Sequence, residues 1–285
     1  MAHEIMIWLG SAGLALQHSS RWMAWNLFLA LLPLAFSLWL FSDKKLPQRW
    51  WWALWLLLTA TLLPRLPYFG YYALHWLRDN RTNYIAWAIA IGLFCLELQW
   101  RRTKKLPQRD RPLLWWLGFF GFIAFLPNAP YVLTDVIHLI RDIRTPYSVW
   151  IISLVLIPQY LLFIVVGFEA YVLSLMNCGE YLKRQGWGKL IIVMELIFHA
   201  LSAVGIYLGR FLRFNSWDII TELDSLASVV DDLVAKRPLL VMAITFATIT
   251  ILYWLMKQVT LGISDRNRAI ALRRRNHPNP LTISS

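Results

Sequence analysis

The chain alternates blocks of about 20 apolar residues with short basic loops, and that alternation constrains it more than any single motif. A block of this length, wound as a helix at about 1.5 Å per residue, spans the roughly 30 Å hydrocarbon core of a bilayer. A helix satisfies its backbone N–H and C=O groups internally, as lipid requires, so the blocks read as transmembrane helices. Runs at residues 22–41, 85–100, 148–176, 190–208 and 239–256 are read directly as crossings. Two more, 50–63 and 113–126, reach only about 14 residues before a proline pair and span only where the chain beyond the break contributes. Together they predict seven crossings. With 58% hydrophobic residues and 17 Trp among 285 positions, soluble, disordered and disulfide-stapled alternatives fall away. The expected fold is therefore all-α, a polytopic membrane helical bundle of about seven transmembrane helices forming one integral membrane domain over 1–285.

Charge sets the orientation. The loops on one side carry Lys44, Lys45 and Arg49, the cluster from Arg101 to Arg111, then Lys183, Arg184 and Lys189, and finally Lys257 with the arginines up to Arg275. Cations favour the cytoplasmic side of short loops, which puts the N-terminus outside and the C-terminus, with a basic tail over 257–285, in the cytoplasm. Because the net charge of +12 is spread as juxtamembrane clusters, it signals topology and membrane lipids as partners, and not nucleic acid. Glu4 stands where a cationic leader would begin, and no small-residue cleavage site follows residues 5–16, so no removable signal peptide is expected. Cys95 and Cys178 form no paired spacing, and neither zinc nor redox chemistry is expected of them.

An internal repeat divides the first half. Lys44-Lys45-Leu46-Pro47-Gln48-Arg49 recurs unchanged at 104–109, and Leu-Pro-x-x-Pro-Tyr follows each copy. At an offset of 63, ten of the 22 positions from 63 to 84 are identical, among them Pro64/Pro127, Pro67/Pro130, Tyr68/Tyr131, His75/His138, Arg78/Arg141 and Asp79/Asp142. This pattern predicts a tandem parallel repeat, unit 1 over about 44–103 and unit 2 over about 104–168, followed by C-terminal helices within 190–256. Proline-interrupted apolar segments at matching positions of two repeats point to a substrate site in transporters, because a broken helix frees backbone groups. The alternative is that the break merely turns the chain into an interfacial helix.

Three stretches carry a resemblance: Asn26-Leu27-Phe28-Leu29-Ala30 with Pro33, residues 125–139 (FLPNAPYVLTDVIHL) and residues 205–218 (GIYLGRFLRFNSWD). In these the sequence resembles a family of uncharacterised bacterial integral membrane proteins, domain of unknown function 1361. The resemblance takes in the first helix and most of the chain from about residue 113 to the last helix. It implies a bacterial inner (plasma) membrane and a topology class, and no reaction.

On the predicted topology Asn26, Asn128, Thr134, Asp135, His138, Arg210, Arg213, Asn215 and Asp218 all approach the outer interface from three separate stretches of chain. Thr134, Asp135, His138 and Arg141 share one helix side at spacings of three and four. Arg210 and Arg213 present two guanidinium groups on the side where cations are not favoured, an arrangement suited to phosphate or carboxylate. The working expectation is binding or transport of an anionic small solute or lipid headgroup. One alternative is an enzyme acting on a lipid- or sugar-phosphate through Asp135 and His138; another is a structural or assembly factor, with arginines pairing locally. Within the apolar runs lie Glu169, Glu195 and His199, read as a proton relay or as a packed polar pair between helices. No cofactor motif occurs, since neither a phosphate-binding glycine loop nor H-E-x-x-H is present, and D-x-x-H alone is a weak metal signal.

Overall fold

A computed structural model describes residues 2–42, 48–65, 113–212 and 236–276. The expected crossing at 85–100, most of repeat unit 1, the loop opening unit 2, Cys95, and Arg213, Asn215 and Asp218 lie outside the described residues, as does the tail from 277.

Among the described residues, helix is the only regular secondary structure. Helix α1 covers Ala2–Phe41 and α2 covers Gln48–Leu62. Helix α3 (Leu113–Phe125) is followed by α4 (Asn128–Tyr131), a 3-10 turn over Val132–Asp135 and α5 (Val136–Ile143). One turn at Val149–Ile151 and a π-helical stretch at Ile152–Leu156 lead into α6 (Ile157–Arg184), the widened stretch ending just before Pro158, which has no N–H to give. Helices α7 (Ile191–Phe211) and α8 (Lys236–Asn276) complete the set. Five of these runs are long and apolar enough to cross a membrane: His3–Phe41, Leu113–Ile143, Val149–Arg184, Gly188–Phe211 and Lys236–Asn267. The chain is thus a multi-pass membrane protein by its helices. Trp52–Leu62, the short run of the first repeat, is an apolar helix below that length.

Side-chain register gives the helix directions. Ser19 meets Gln159 at 3.3 Å and Asn177 meets Ser37 at 3.0 Å, both across the same sequence offset, so α1 and α6 run parallel. The stretch 113–143 runs antiparallel to α1 along its whole length: Phe41 packs on Trp115, Phe36 on Phe125, Asn26 on Asp135 and Trp22 on His138. Helix α7 returns antiparallel to α6, with Gly179 facing Ile191 and Tyr171 facing His199 and Ser202.

Residues 113–126, expected to span only where the chain beyond the break contributes, continue past the proline pair in a run, Leu113–Ile143, long and apolar enough to cross a membrane, and the reason is local. Pro127 and Pro130 fall where a new helix begins and its first N–H groups have no partner to lose. Ala129 N–H donates to the Leu126 carbonyl (3.2 Å) and Tyr131 N–H to that of Pro127 (3.1 Å), so winding resumes at once. Asn128 Nδ2 donates to the Phe125 carbonyl at 3.1 Å, covering an acceptor beside the break.

Two glycines then clamp this segment. A Cβ at Gly205 of α7 would lie 2.7 Å from Pro127 Cβ, and one at Gly167 of α6 would lie 2.8 Å from Val132 Cγ1. Ordinary side chains would hold α6 and α7 away. Because glycine stands there, Leu126, Ala129 and Val132 are buried among Ala30, Phe122, Phe163 and Ile206. Close backbone approach of this kind supplies packing where helices have no hydrophobic drive to associate.

Candidate functional site

Asp135 closes the 3-10 turn after the break, and its side chain is completely buried. Asn26 of α1 donates to its Oδ2 at 2.9 Å, and Arg210 of α7 lies 3.4 Å from its Oδ1. Arg210 is also held by the Thr134 carbonyl (2.9 Å) and the Tyr131 hydroxyl (3.2 Å), with its guanidinium 5.5 Å from the Tyr131 ring centroid. A buried carboxylate is tolerated in an apolar bundle only when its charge is matched and its lone pairs are occupied. Asn26 and Arg210 meet both conditions from two different helices.

The rim is formed by α5. His138 packs against Trp22 of α1, with ring centroids 4.6 Å apart and the rings tilted by 40°, and Arg141 reaches His138 Nδ1 at 3.0 Å. Since arginine only donates, Nδ1 is an acceptor and the ring proton belongs on Nε2, an assignment made from this bond. That Nε2 stands 3.8 Å from Asp135 Oδ1, beyond hydrogen-bond reach. One turn further, buried Asp142 accepts from Tyr160 of α6 at 2.8 Å, anchoring the end of α5.

Of the residues expected to converge, Asn26, Asp135, His138 and Arg210 do meet. Thr134 joins through its carbonyl, while its hydroxyl turns back to the Tyr131 carbonyl at 2.8 Å. The side chain of Asn128 serves the break instead of the cluster. The sequence pattern does not single out Tyr131, Trp22 and Tyr160 as members of the cluster. Tyr131 left a trace, as one of the identities between the repeats, whereas an aromatic residue in an apolar helix leaves none.

The deeper polar residues are arranged differently from the expected mutual pair. Glu195 and His199 are four apart on α7, yet each bonds to a tyrosine from another helix. Glu195 Oε1 accepts from Tyr253 (2.7 Å) and Lys257 (2.6 Å) of α8. His199 Nδ1 pairs with the Tyr171 hydroxyl of α6 at 2.7 Å, and Ser202 donates to that hydroxyl at 3.3 Å. Glu169 of α6 meets Thr260 of α8 at 2.7 Å. Among the described residues, no three His, Cys, Asp or Glu side chains are grouped to hold a metal.

Membrane-length helices and a buried, charge-matched cluster between α1, the broken segment and α7 define a multi-pass helical membrane protein with an internal polar site. Residues 83–251 match the family described as Protein of unknown function (DUF1361), and the chain belongs to that family. The matched stretch contains Asp135, His138 and Arg210 and begins beyond α1, so Asn26 reaches the cluster from outside it. No curated protein and no solved structure matches the chain.

Proposed function

We propose that this protein binds an anionic group, on a small solute or a lipid headgroup, at the outer end of the bundle, on the edge formed by His138, Arg141 and Arg210. The observation that carries the reading is Arg210, held by three protein oxygens against a fully buried Asp135. A guanidinium oriented in advance loses less freedom on meeting a carboxylate or phosphate. The neighbouring groups donate as well: Arg141 is exposed, and the His138 nitrogen left after bonding Arg141 carries a proton.

Depth supports the location. Asn26 lies 15 residues before Phe41, about 22 Å along α1, and exposed Arg21 lies about 30 Å from it. The cluster therefore falls just inside one interface when the Phe41 end occupies the other. Beside Phe41 stand Lys44 and Lys45 in sequence and Arg184 in space, bonded to the Phe41 carbonyl, which favours that end as cytoplasmic. The same placement supports an N-terminus on the outer side, and the reading of a bacterial inner membrane rests on the family resemblance. Phe41 lies beside Trp115, so the end of α1 and the start of α3 share one face of the bundle, as the reading of seven crossings with two in each repeat requires. The enzymatic alternative draws less support, because Asp135 and His138 are not bonded as an acid–base pair.

The test is native mass spectrometry with lipid analysis on the purified chain, wild type against Arg141→Gln/Arg210→Gln. A further variant, Asp135→Asn/Arg210→Gln, removes both buried charges and keeps the fold from carrying an unmatched one. The reading expects a co-purifying anionic lipid, or a saturable response to inorganic phosphate, that is lost in the Arg141→Gln/Arg210→Gln chain. Lipid retention identifies a headgroup and phosphate response a free anion. The same bound species in all three chains would end the proposal.

A further inference from the structure

Away from the Asp135 cluster, one acidic group competes with a backbone carbonyl for a single hydroxyl hydrogen. Glu169 Oε1 lies 2.7 Å from Thr260 Oγ1, and its Oε2 is buried with no hydrogen-bond partner among the described residues. Thr260 Oγ1 is also 2.9 Å from the Met256 carbonyl, one turn back on α8. A hydroxyl has a single hydrogen to donate. Thr245, Thr248 and Thr250 of the same helix all donate theirs to the carbonyl four residues earlier, at 2.7 to 2.8 Å. If Thr260 does likewise, the short contact to Glu169 is left without a hydrogen unless Glu169 supplies one.

Charge leads to the same place. The neighbouring cation on α8, Lys257, is engaged by Glu195 of α7, which also takes the Tyr253 hydroxyl. His199, the other titratable group of that region on α7, is bonded to Tyr171. No described cation pairs with Glu169, and an ionised carboxylate inside an apolar bundle needs one. A neutral acid resolves both difficulties. Its O–H donates to Thr260 Oγ1, Thr260 donates to the Met256 carbonyl, and Oε2 becomes an uncharged carbonyl oxygen, far cheaper to leave without a partner.

We propose that Glu169 and Thr260 form a proton-binding site at the contact of α6 and α8, with the Glu169 carboxyl donating to the Thr260 hydroxyl. This goes beyond the anion-binding reading and is independent of it. The two glutamates within the described apolar helices then differ in kind: Glu195 is neutralised by a lysine, Glu169 by a bound proton.

Infrared spectroscopy of the full chain in H2O and D2O near neutral pH tests it. The wild type is expected to show a protonated-carboxyl C=O band that is lost in Glu169→Gln and kept in Glu195→Gln. Thr260→Val, which removes the acceptor, is expected to move that band to higher frequency. Identical carboxylic-acid regions in wild type and Glu169→Gln would overturn the proposal. So would a Glu169→Gln chain that fails to assemble, because the amide reproduces the neutral acid's donor and acceptor.

Discussion

Removing the carboxylate of Asp135 tests the centre of the buried polar cluster. The residue is fully buried, accepts from Asn26 at 2.9 Å and pairs with Arg210 at 3.4 Å, while the Arg210 side chain is only 18% exposed. Breaking one partner of a buried pair costs about 3–5 kcal/mol, because the other charge stays behind. Arg210 keeps the Thr134 carbonyl and the Tyr131 hydroxyl, and polar groups in membranes recover partners on unfolding, so Asp135→Ala is expected at the lower end, about 3 kcal/mol. Asn26→Ala removes one neutral donor and should cost about 1 kcal/mol. Arg210→Met strands Asp135 and should also cost about 3 kcal/mol, but Asp135→Ala/Arg210→Met leaves no charge, and the pair should fall about 2 kcal/mol short of the sum of its singles. Reversible unfolding in mixed detergent micelles, followed by tryptophan fluorescence, measures all four chains. Additive singles, or an Asp135→Ala chain as stable as wild type, would refute the claim that this ion pair ties α7 to the broken segment.

Other perturbations probe the scaffold around it. Gly205→Val should cost about 1–3 kcal/mol in the same unfolding assay, since its Cβ would sit 2.7 Å from Pro127 Cβ, whereas Gly10→Ala and Gly13→Ala meet nothing within 4 Å and should stabilise α1 by about 0.5–1 kcal/mol. Tyr160→Phe takes the donor from buried Asp142 and should lower stability by about 1–3 kcal/mol; no change in the unfolding midpoint would mean that Asp142 finds another donor. Lys257→Met should cost about 3–5 kcal/mol by stranding Glu195, and adding Glu195→Gln should restore most of the loss in thermal-shift measurements.

Much of the fold was legible because lipid imposes a strict length rule on apolar helices. The runs at 22–41, 148–176, 190–208 and 239–256 each coincide, to within a residue, with part of a membrane-length helix, although α1 continues back to Ala2 without interruption. Residues 113–126 were harder, because a proline pair marks a break without saying where the chain goes next. The answer rests on Asn128 covering the Phe125 carbonyl and on Gly167 and Gly205 admitting two neighbouring helices, contacts between residues distant in sequence. The convergence of Asn26, Asp135 and Arg210 was foreseen from shared depth, since residues near the same interface have few places to go. Helix spacing misled at Glu195 and His199: a shared face puts side chains near each other but does not choose between a neighbour one turn away and a tyrosine across the interface.

By itself, the sequence determined that this chain lives in a membrane, which blocks are helical and where the polar residues sit along them. Those properties follow from the cost of exposing backbone and charge to hydrocarbon, which each segment meets alone. Tertiary structure decided which buried charge answers which: Asp135 with Arg210 and Asn26, Glu195 with Lys257, and Glu169 with a hydroxyl and no cation. A side chain's depth is a property of its own helix, but its partner depends on how neighbouring helices rotate and pack, and no spacing along one strand of sequence records that.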